Sequence, residues 1–302
     1  RREALAAGVA VLPLSAADAR PPAEVIDTHT HFYDPTRPEG VPWPGRDDRV
    51  LYRPVLPAEY RRLAAPLGVT GTVVVEASPR VDDNDWLLQL AKDDPFLLGV
   101  VGRLLPTDAD FARHLTRLAA EPKFRGIRVS AAEVRAALDA PAQLDRLKAL
   151  RDANLTLDVN GGPEVLPLAA RVADRLAGLR VVVNHLANPL IDGRDPPADW
   201  LKAAAAVQTV WCKLSALADS TRRRGQQAPA DPAFYRPVMD AAWAAFGADR
   251  LVFGTNWPVS DHYAPLARVV ALAADFVRGK GDAAYRKVMA ANAREAYRLP
   301  RA

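Results

Sequence analysis

A chain of 302 residues with 49% hydrophobic and 25% charged side chains can bury a large core, either as two average domains or as one α/β barrel of about 250 residues with extensions. Lys and Arg exceed Asp and Glu by only four, 40 against 36, and Arg1, Arg2, Arg298 and Arg301 of that surplus lie near the chain ends. The one basic run, Arg222-Arg223-Arg224, leads into Gly225-Gln226-Gln227 without interleaved aromatics, so it reads as a solvated loop and no nucleic-acid partner is expected.

In chain order, Arg1-Arg2 precede an apolar stretch over 4–14, and Ala17-Asp18-Ala19 supply a small-x-small pattern before Arg20-Pro21-Pro22. This resembles the tail of a twin-arginine export signal, the alternative being an Ala-rich N-terminal helix. Residues 1–23 are therefore set apart as an export remnant or extension, and 24–302 are expected to form one domain. A used signal implies the periplasm, an unused one the cytoplasm. Elsewhere no apolar run nears the roughly 18 residues of a membrane span.

From Val25 onward short β-branched runs alternate with amphipathic stretches, the pattern of βα units on a parallel sheet. Strands are expected at 24–29, 71–76, 96–101, 126–130, 155–159, 180–184, 210–214 and 250–254. Val73-Val74-Val75 and Val181-Val182-Val183 are apolar without alternation, as strands covered on both faces are. Asp82-Asp83-Asn84 begins a helix carrying Trp86, Leu87 and Leu90. Thr107 is expected to open another, with Phe111, Leu115 and Leu118 on one face. Pro141 and Pro163 stand at helix starts, and further helices are expected over 165–177, 197–207, 233–246, 264–278 and 282–297. Eight units predict a closed (β/α)8 TIM barrel, distorted by two long connections after its first and seventh strands, 34–57 and 218–237. Cys212, the single cysteine, excludes an internal disulfide and reads as a buried, inert thiol.

Polar residues collect where these apolar strands end, the place a barrel builds its chemistry. Asp27, His29 and His31 alternate along the first strand, so all three are expected on one face. Arg128 ends the fourth strand, His185 the sixth, Lys213 lies in the seventh, and Asn256 and Trp257 follow the eighth. Glu76, Arg103, Asp158 and Asn160 also lie at strand ends, though alternation could turn the first three outward. His114, in a helical pattern, and His262, in a loop, read as bystanders.

The ordered set VIDTHTHF (25–32), FRGIRVS (124–130), VVVNHLANP (181–189), VWCKLSA (210–216), LVFGTNWPVS (251–260) and ANAREAYRL (291–299) resembles the amidohydrolase-related branch of the amidohydrolase superfamily. Within it, the chain is most similar to lactone hydrolases acting on sugar lactones and pyrone dicarboxylate. The resemblance implies a distorted (β/α)8 barrel and a hydrolase that opens a lactone or similar small ester by histidine-assisted water attack. His29, His31 and His185 match the pocket histidines that hold a divalent metal such as zinc in metal-using members, and metal-free catalysis is the other course. Asn256 stands where the motif has Asp. An amide lacks the basicity of a carboxylate, so Asn256 is expected to position water rather than deprotonate it. His29, His31, His185 and Asn256 are thus the catalytic candidates, and Arg128, Lys213, Trp257 and Tyr33 are expected to bind substrate. A metal-dependent decarboxylase of the same superfamily and a non-catalytic small-molecule binder remain as alternatives. A small-molecule substrate is the expected partner, and the sequence neither requires nor excludes a homo-oligomer.

Overall fold

Each apolar run marked as a strand folds as one, within two residues of its expected ends. The computed structural model describes residues 23–300, so the stretch read as an export signal lies, through residue 22, outside the described residues. The strands are β1 (Ile26–Thr30), β2 (Gly71–Val75), β3 (Leu97–Gly102), β4 (Phe124–Ser130), β5 (Thr156–Asn160), β6 (Arg180–Val183), β7 (Trp211–Leu214) and β8 (Leu251–Phe253). They pair in sequence order and in parallel. The seam between β8 and β1 is narrow but stitched: the Asn256 amide donates to the His29 carbonyl, the His31 amide donates to the Trp257 carbonyl, and Thr30 bridges Trp257. The result is a nearly closed (β/α)8 barrel.

Helices α1 (Pro57–Ala64), α2 (Asp83–Ala91), α3 (Phe111–Ala119), α4 (Ala131–Asp139), α5 (Pro141–Asp152), α6 (Val165–Arg175), α7 (Ala198–Ala205), α8 (Arg236–Arg250) and α9 (Leu266–Arg278) cover the outside. Two depart from expectation by being present at all. α1 begins at the end of the long first connection, with Pro57 at its first position. α4 starts directly off β4 through a capping box, in which Ser130 and Glu133 each satisfy the other's backbone amide. The helix expected to open at Thr107 starts at Phe111 instead, because 107–110 form turns. The single helix expected over 282–297 is three pieces: α10 (Asp282–Arg286), a π-helical turn (Lys287–Ala291) and α11 (Asn292–Ala296).

Those last pieces close the barrel floor. Inside the barrel, Ile26, Val73, Val75, Val101, Val182 and Val252 pack against Ala290, Ala293, Ala296, Tyr297 and Leu299. Thr156, at the start of β5, donates its hydroxyl to the Ala296 carbonyl. The carboxyl ends of the strands are left as the open face. There both long connections are tied down: Tyr33 donates to the Leu51 carbonyl, His262 Nε2 lies 2.8 Å from Asp48 Oδ2, and the amides of Gln226 and Ala228 donate to the carbonyls of His262 and Tyr263.

Asp27 anchors the β1–β8 seam from within. Its carboxylate accepts from the amides of His29 and Thr255 and from the hydroxyls of Tyr60 and Thr255. Replacing it with Ala leaves four buried donors without an acceptor. Asp27→Ala is expected to lose about 3 kcal/mol of stability in urea unfolding; an unchanged midpoint would show the seam does not depend on it.

Candidate active site

Asp27 does not share a face with the two histidines that follow it. The β1–β2 register shifts between Asp27 and Thr30, and Asp27 faces Tyr60 of α1 while His29 and His31 turn toward the barrel mouth. The two imidazoles lie 4.9 Å apart between ring centroids, and His185, more than 150 residues on, comes to 4.2 Å from His29. Gly254 makes room for this approach, since a Cβ there would sit 3.0 Å from that of His29.

His29 is the deepest of the three and is fully buried. Lys213 lies behind it, with no exposed surface, and its ammonium has three acceptors for its three hydrogens: the Thr28 carbonyl at 2.8 Å, Asp158 Oδ2 at 2.6 Å and His29 Nδ1 at 3.2 Å. A neutral ring that accepts at Nδ1 carries its proton on Nε2, and that nitrogen has no partner among the described residues. His31 is the converse. Its Nδ1 is 2.9 Å from the Val75 carbonyl, which can only accept, so Nε2 keeps its lone pair toward the pocket. Burial drives the pKa of His31 down to about 3, and Arg128 adds to the effect. Burial, with Lys213 next, also holds His29 and His185 well below the usual histidine value.

His185 begins a run of four left-handed residues, His185, Leu186, Ala187 and Asn188. Non-glycine side chains pay for that conformation, and it persists only where the surroundings over-determine it. Here Trp200 Nε1 donates to the Leu186 carbonyl at 2.7 Å and Asn188 Nδ2 to the Gly161 carbonyl at 2.8 Å. Ser215 Oγ then meets His185 Nδ1 at 2.9 Å.

Of the three imidazoles, His31 and His185 line a cavity of about 430 Å³, with Trp43, Glu76, Arg103 and Arg128 and with Ser78, Ser130, Asn160 and Asn256 around them, while His29 lies buried beneath. Glu76 and Arg103, which alternation could have turned outward, face the cavity. Arg128, which lines the cavity, donates from Nε to Glu76 Oε1 at 2.9 Å and from Nη2 to the Glu76 carbonyl, and neither bond uses Nη1. Arg103 pairs with Glu133 at 2.6 Å. Three residues expected at the substrate do not line this cavity. Lys213 is sealed beneath His29; Trp257 is buried against Phe32 and Tyr60; Tyr33 is spent on the Leu51 carbonyl and the edge of Trp43. Each lies at or beside a strand end, and depth or packing turns it from the cavity. Trp43, from the Pro-rich connection, supplies the aromatic wall instead, 6.0 Å from His31. His114 is half-buried on α3 and does not line the cavity, and His262 holds the loop through Asp48 rather than facing the cavity.

Asn256 takes a left-handed backbone, φ 62°, which asparagine tolerates better than most residues. Its Oδ1 lies 3.3 Å from His31 Nε2, and its Nδ2 donates at 2.8 Å to Asp219, a residue of the second long connection that motif reasoning passed over. The donor set does not fit a metal ion. The His29 lone pair is taken by Lys213, the strand-eight carboxylate is an amide, and no cluster of three or more His, Cys, Asp or Glu side chains among the described residues has metal-holding geometry.

Three buried neutral imidazoles make stability depend on pH. Their folded pKa values lie below the unfolded value near 6.5, so their contribution is whole above pH 6.5 and is lost as pH falls. Unfolding free energy is expected to drop between pH 7 and 5 at up to about 1.4 kcal/mol per pH unit for each imidazole. His31→Gln should flatten that slope; a slope unchanged in the variant would contradict a neutral His31.

The amidohydrolase family model matches residues 26–299. An L-fucono-1,5-lactonase of Burkholderia ambifaria is 33% identical over 240 residues, 78% of this chain and 80% of the relative. A second, from Burkholderia multivorans, is 32% identical over 291 residues, 91% of this chain and 96% of its own length. The crystal structure of an amidohydrolase from Burkholderia multivorans with bound zinc superposes with a TM-score of 0.81 at 29% identity, covering 92% of this chain and all of the other. Divalent metal thus occurs among its relatives, on a scaffold the present chain shares. From first strand to last helix, the chain belongs to the amidohydrolase family.

Proposed function

We propose that this protein is a lactonase that hydrolyses an uncharged, polyhydroxylated lactone of the sugar 1,5-lactone class. The observation that carries the reading is a pair of proton acceptors, His31 Nε2 and Asn256 Oδ1, 3.3 Å apart on the floor of a pocket whose wall presents Arg128. A water donating one hydrogen to each acceptor has its lone pairs directed away from both, toward a bound carbonyl. Its oxygen attacks the carbonyl carbon as His31 takes the proton, and the oxyanion forms against Arg128 Nη1. When the ring C–O bond breaks, the leaving alkoxide takes the proton back from His31, so water is added across the ester bond with no net change in the protein. His185 lines the cavity beside this path, and His29 lies buried behind it, 4.2 Å from His185 between ring centroids.

Charge at the rim supports the substrate class. Both arginines in the cavity are answered by carboxylates, Arg128 by Glu76 and Arg103 by Glu133. A dicarboxylate would have to compete with those partners, whereas the hydroxyls of a polyol find donors and acceptors together on Glu76, Arg103, Ser78 and Asn160. The fuconolactonase names of the two relatives agree with this choice.

A pH-indicator assay with sugar 1,5-lactones and a pyrone dicarboxylate tests the reading: turnover of the former and not the latter is expected, and the reverse preference would overturn it. His31→Ala should lower kcat by about a hundredfold or more, the scale of lost acid–base assistance; a variant with wild-type kcat removes His31 from the reaction. Dialysis against a chelator should leave the rate unchanged, since His29 offers no lone pair. Loss of activity restored by Zn²⁺ would show that assignment of donors to be wrong.

A further inference from the structure

The substitution of Asn for Asp after β8 gives the site an asymmetric group. A carboxylate presents the same two oxygens whichever way it turns; an amide presents an acceptor on one side and a donor on the other. The two orientations of Asn256 have opposite consequences. With Oδ1 toward His31, two acceptors face the pocket. With Nδ2 toward His31, the amide donates to His31 Nε2 and caps the lone pair that the reaction needs.

Local geometry decides between them. The backbone of Asn256 is held on both sides, its amide donating to the His29 carbonyl and its carbonyl accepting from Ser260, so only the side chain can turn. On the side away from His31 the neighbour is Asp219, in the 3-10 turn Asp219–Thr221 that follows β7. An ionised carboxylate accepts and never donates, so it draws Nδ2 toward itself, and the 2.8 Å contact is that bond. Asp219 has little else to bind: its Oδ2 has no accessible surface and no partner among the described residues.

We propose that Asp219 is a positioning residue for hydrolysis: by taking the Nδ2–H of Asn256 it keeps Oδ1 turned to His31 and leaves both pocket acceptors free for water. The proposal rests on the lactonase reading of the site. It also gives the orientation a dependence on protonation. Burial pushes the pKa of Asp219 up to about 7, against the opposing bond from Asn256. Asp261, on the turn packed against it (Val259–His262), adds a like charge. His262 of that turn is committed to Asp48, Arg53 lies 3.9 Å from Asp261, and Tyr235 is a further titratable neighbour, itself beside Arg268 and Arg223. Protonated Asp219 can donate to Asn256 Oδ1, which turns Nδ2 onto His31. Activity therefore rises with pH as Asp219 ionises.

The test uses Asp219→Ala, which removes the acceptor, and Asp219→Leu, which is close in size, offers no acceptor, and is read by the same measurements if the first variant folds poorly. In both, kcat is expected to fall by on the order of tenfold to a hundredfold, the scale of a misplaced catalytic group, with KM within about threefold. The limb of the kcat–pH profile with a midpoint near 7 should disappear. Independently of turnover, the ¹⁵N resonance of His31 Nε2 at pH 8 should move upfield in Asp219→Ala as Asn256 turns and donates to it. Wild-type kcat together with an unmoved His31 resonance would overturn the proposal. If the wild-type protein opens no lactone, the lactonase reading fails, and the imidazole measurement still decides whether Asp219 sets the amide.

Discussion

The ion pair between Lys213 and Asp158, with no exposed surface on either side chain, is what the rest of the active centre leans on. Taking two charges out of water costs several kcal/mol per ion unless the surroundings supply close, complete bonding. The supply comes from widely separated parts of the chain: Tyr297 after the last helix donates to Asp158, Asn184 after β6 donates to the same carboxylate, and Lys213 reaches back to Thr28 and His29 in β1. Such a pair is poor evidence for high stability, but it ties the barrel floor, made by the C-terminal segment, to the tautomer of a ring at the barrel mouth.

Above that pair, the site is built on strand ends and short turns rather than on free loops, and its irregular backbone is held from outside. The left-handed run from His185 is pinned by Trp200 and Asn188, and the segment after β8 is stitched to β1 by the bonds of Asn256 to His29 and of His31 to Trp257. One long connection contributes Trp43 to the cavity wall, the other sets Asp219 behind Asn256, and the turn bearing His262 joins them. Strain near the chemistry is thus matched by packing and hydrogen bonds farther out, which keeps reacting groups in register.

The barrel was legible because each strand is a short β-branched run and each interval is helical in length and pattern. The convergence of His29, His31 and His185 followed from strand ends alone, since a closed parallel barrel puts every such end on one face. What was not legible depended on depth and direction. Lys213 reads as a cation at a strand end, and nothing in its neighbours says that it sits one layer below the pocket. The Asp27 alternation fails at a register shift that no residue type announces. Trp257 and Tyr33 adjoin pocket residues but are turned away by packing. Asp219 lies in a long connection whose path depends on tertiary contacts, so its approach to Asn256 had no local signal. Ser130 and Glu133 carry a capping-box pattern at the start of α4 that the sequence reading passed over.

The contact between His31 Nδ1 and the Val75 carbonyl means that the ring's lone pair is assigned by main chain, not by another side chain. Every residue type carries the same carbonyl at that position, so mutation at 75 changes the apolar filling of the barrel without rewriting the imidazole. The rim can accordingly diverge, trading one lactone for another, while the proton acceptor is inherited intact with the strand that holds it.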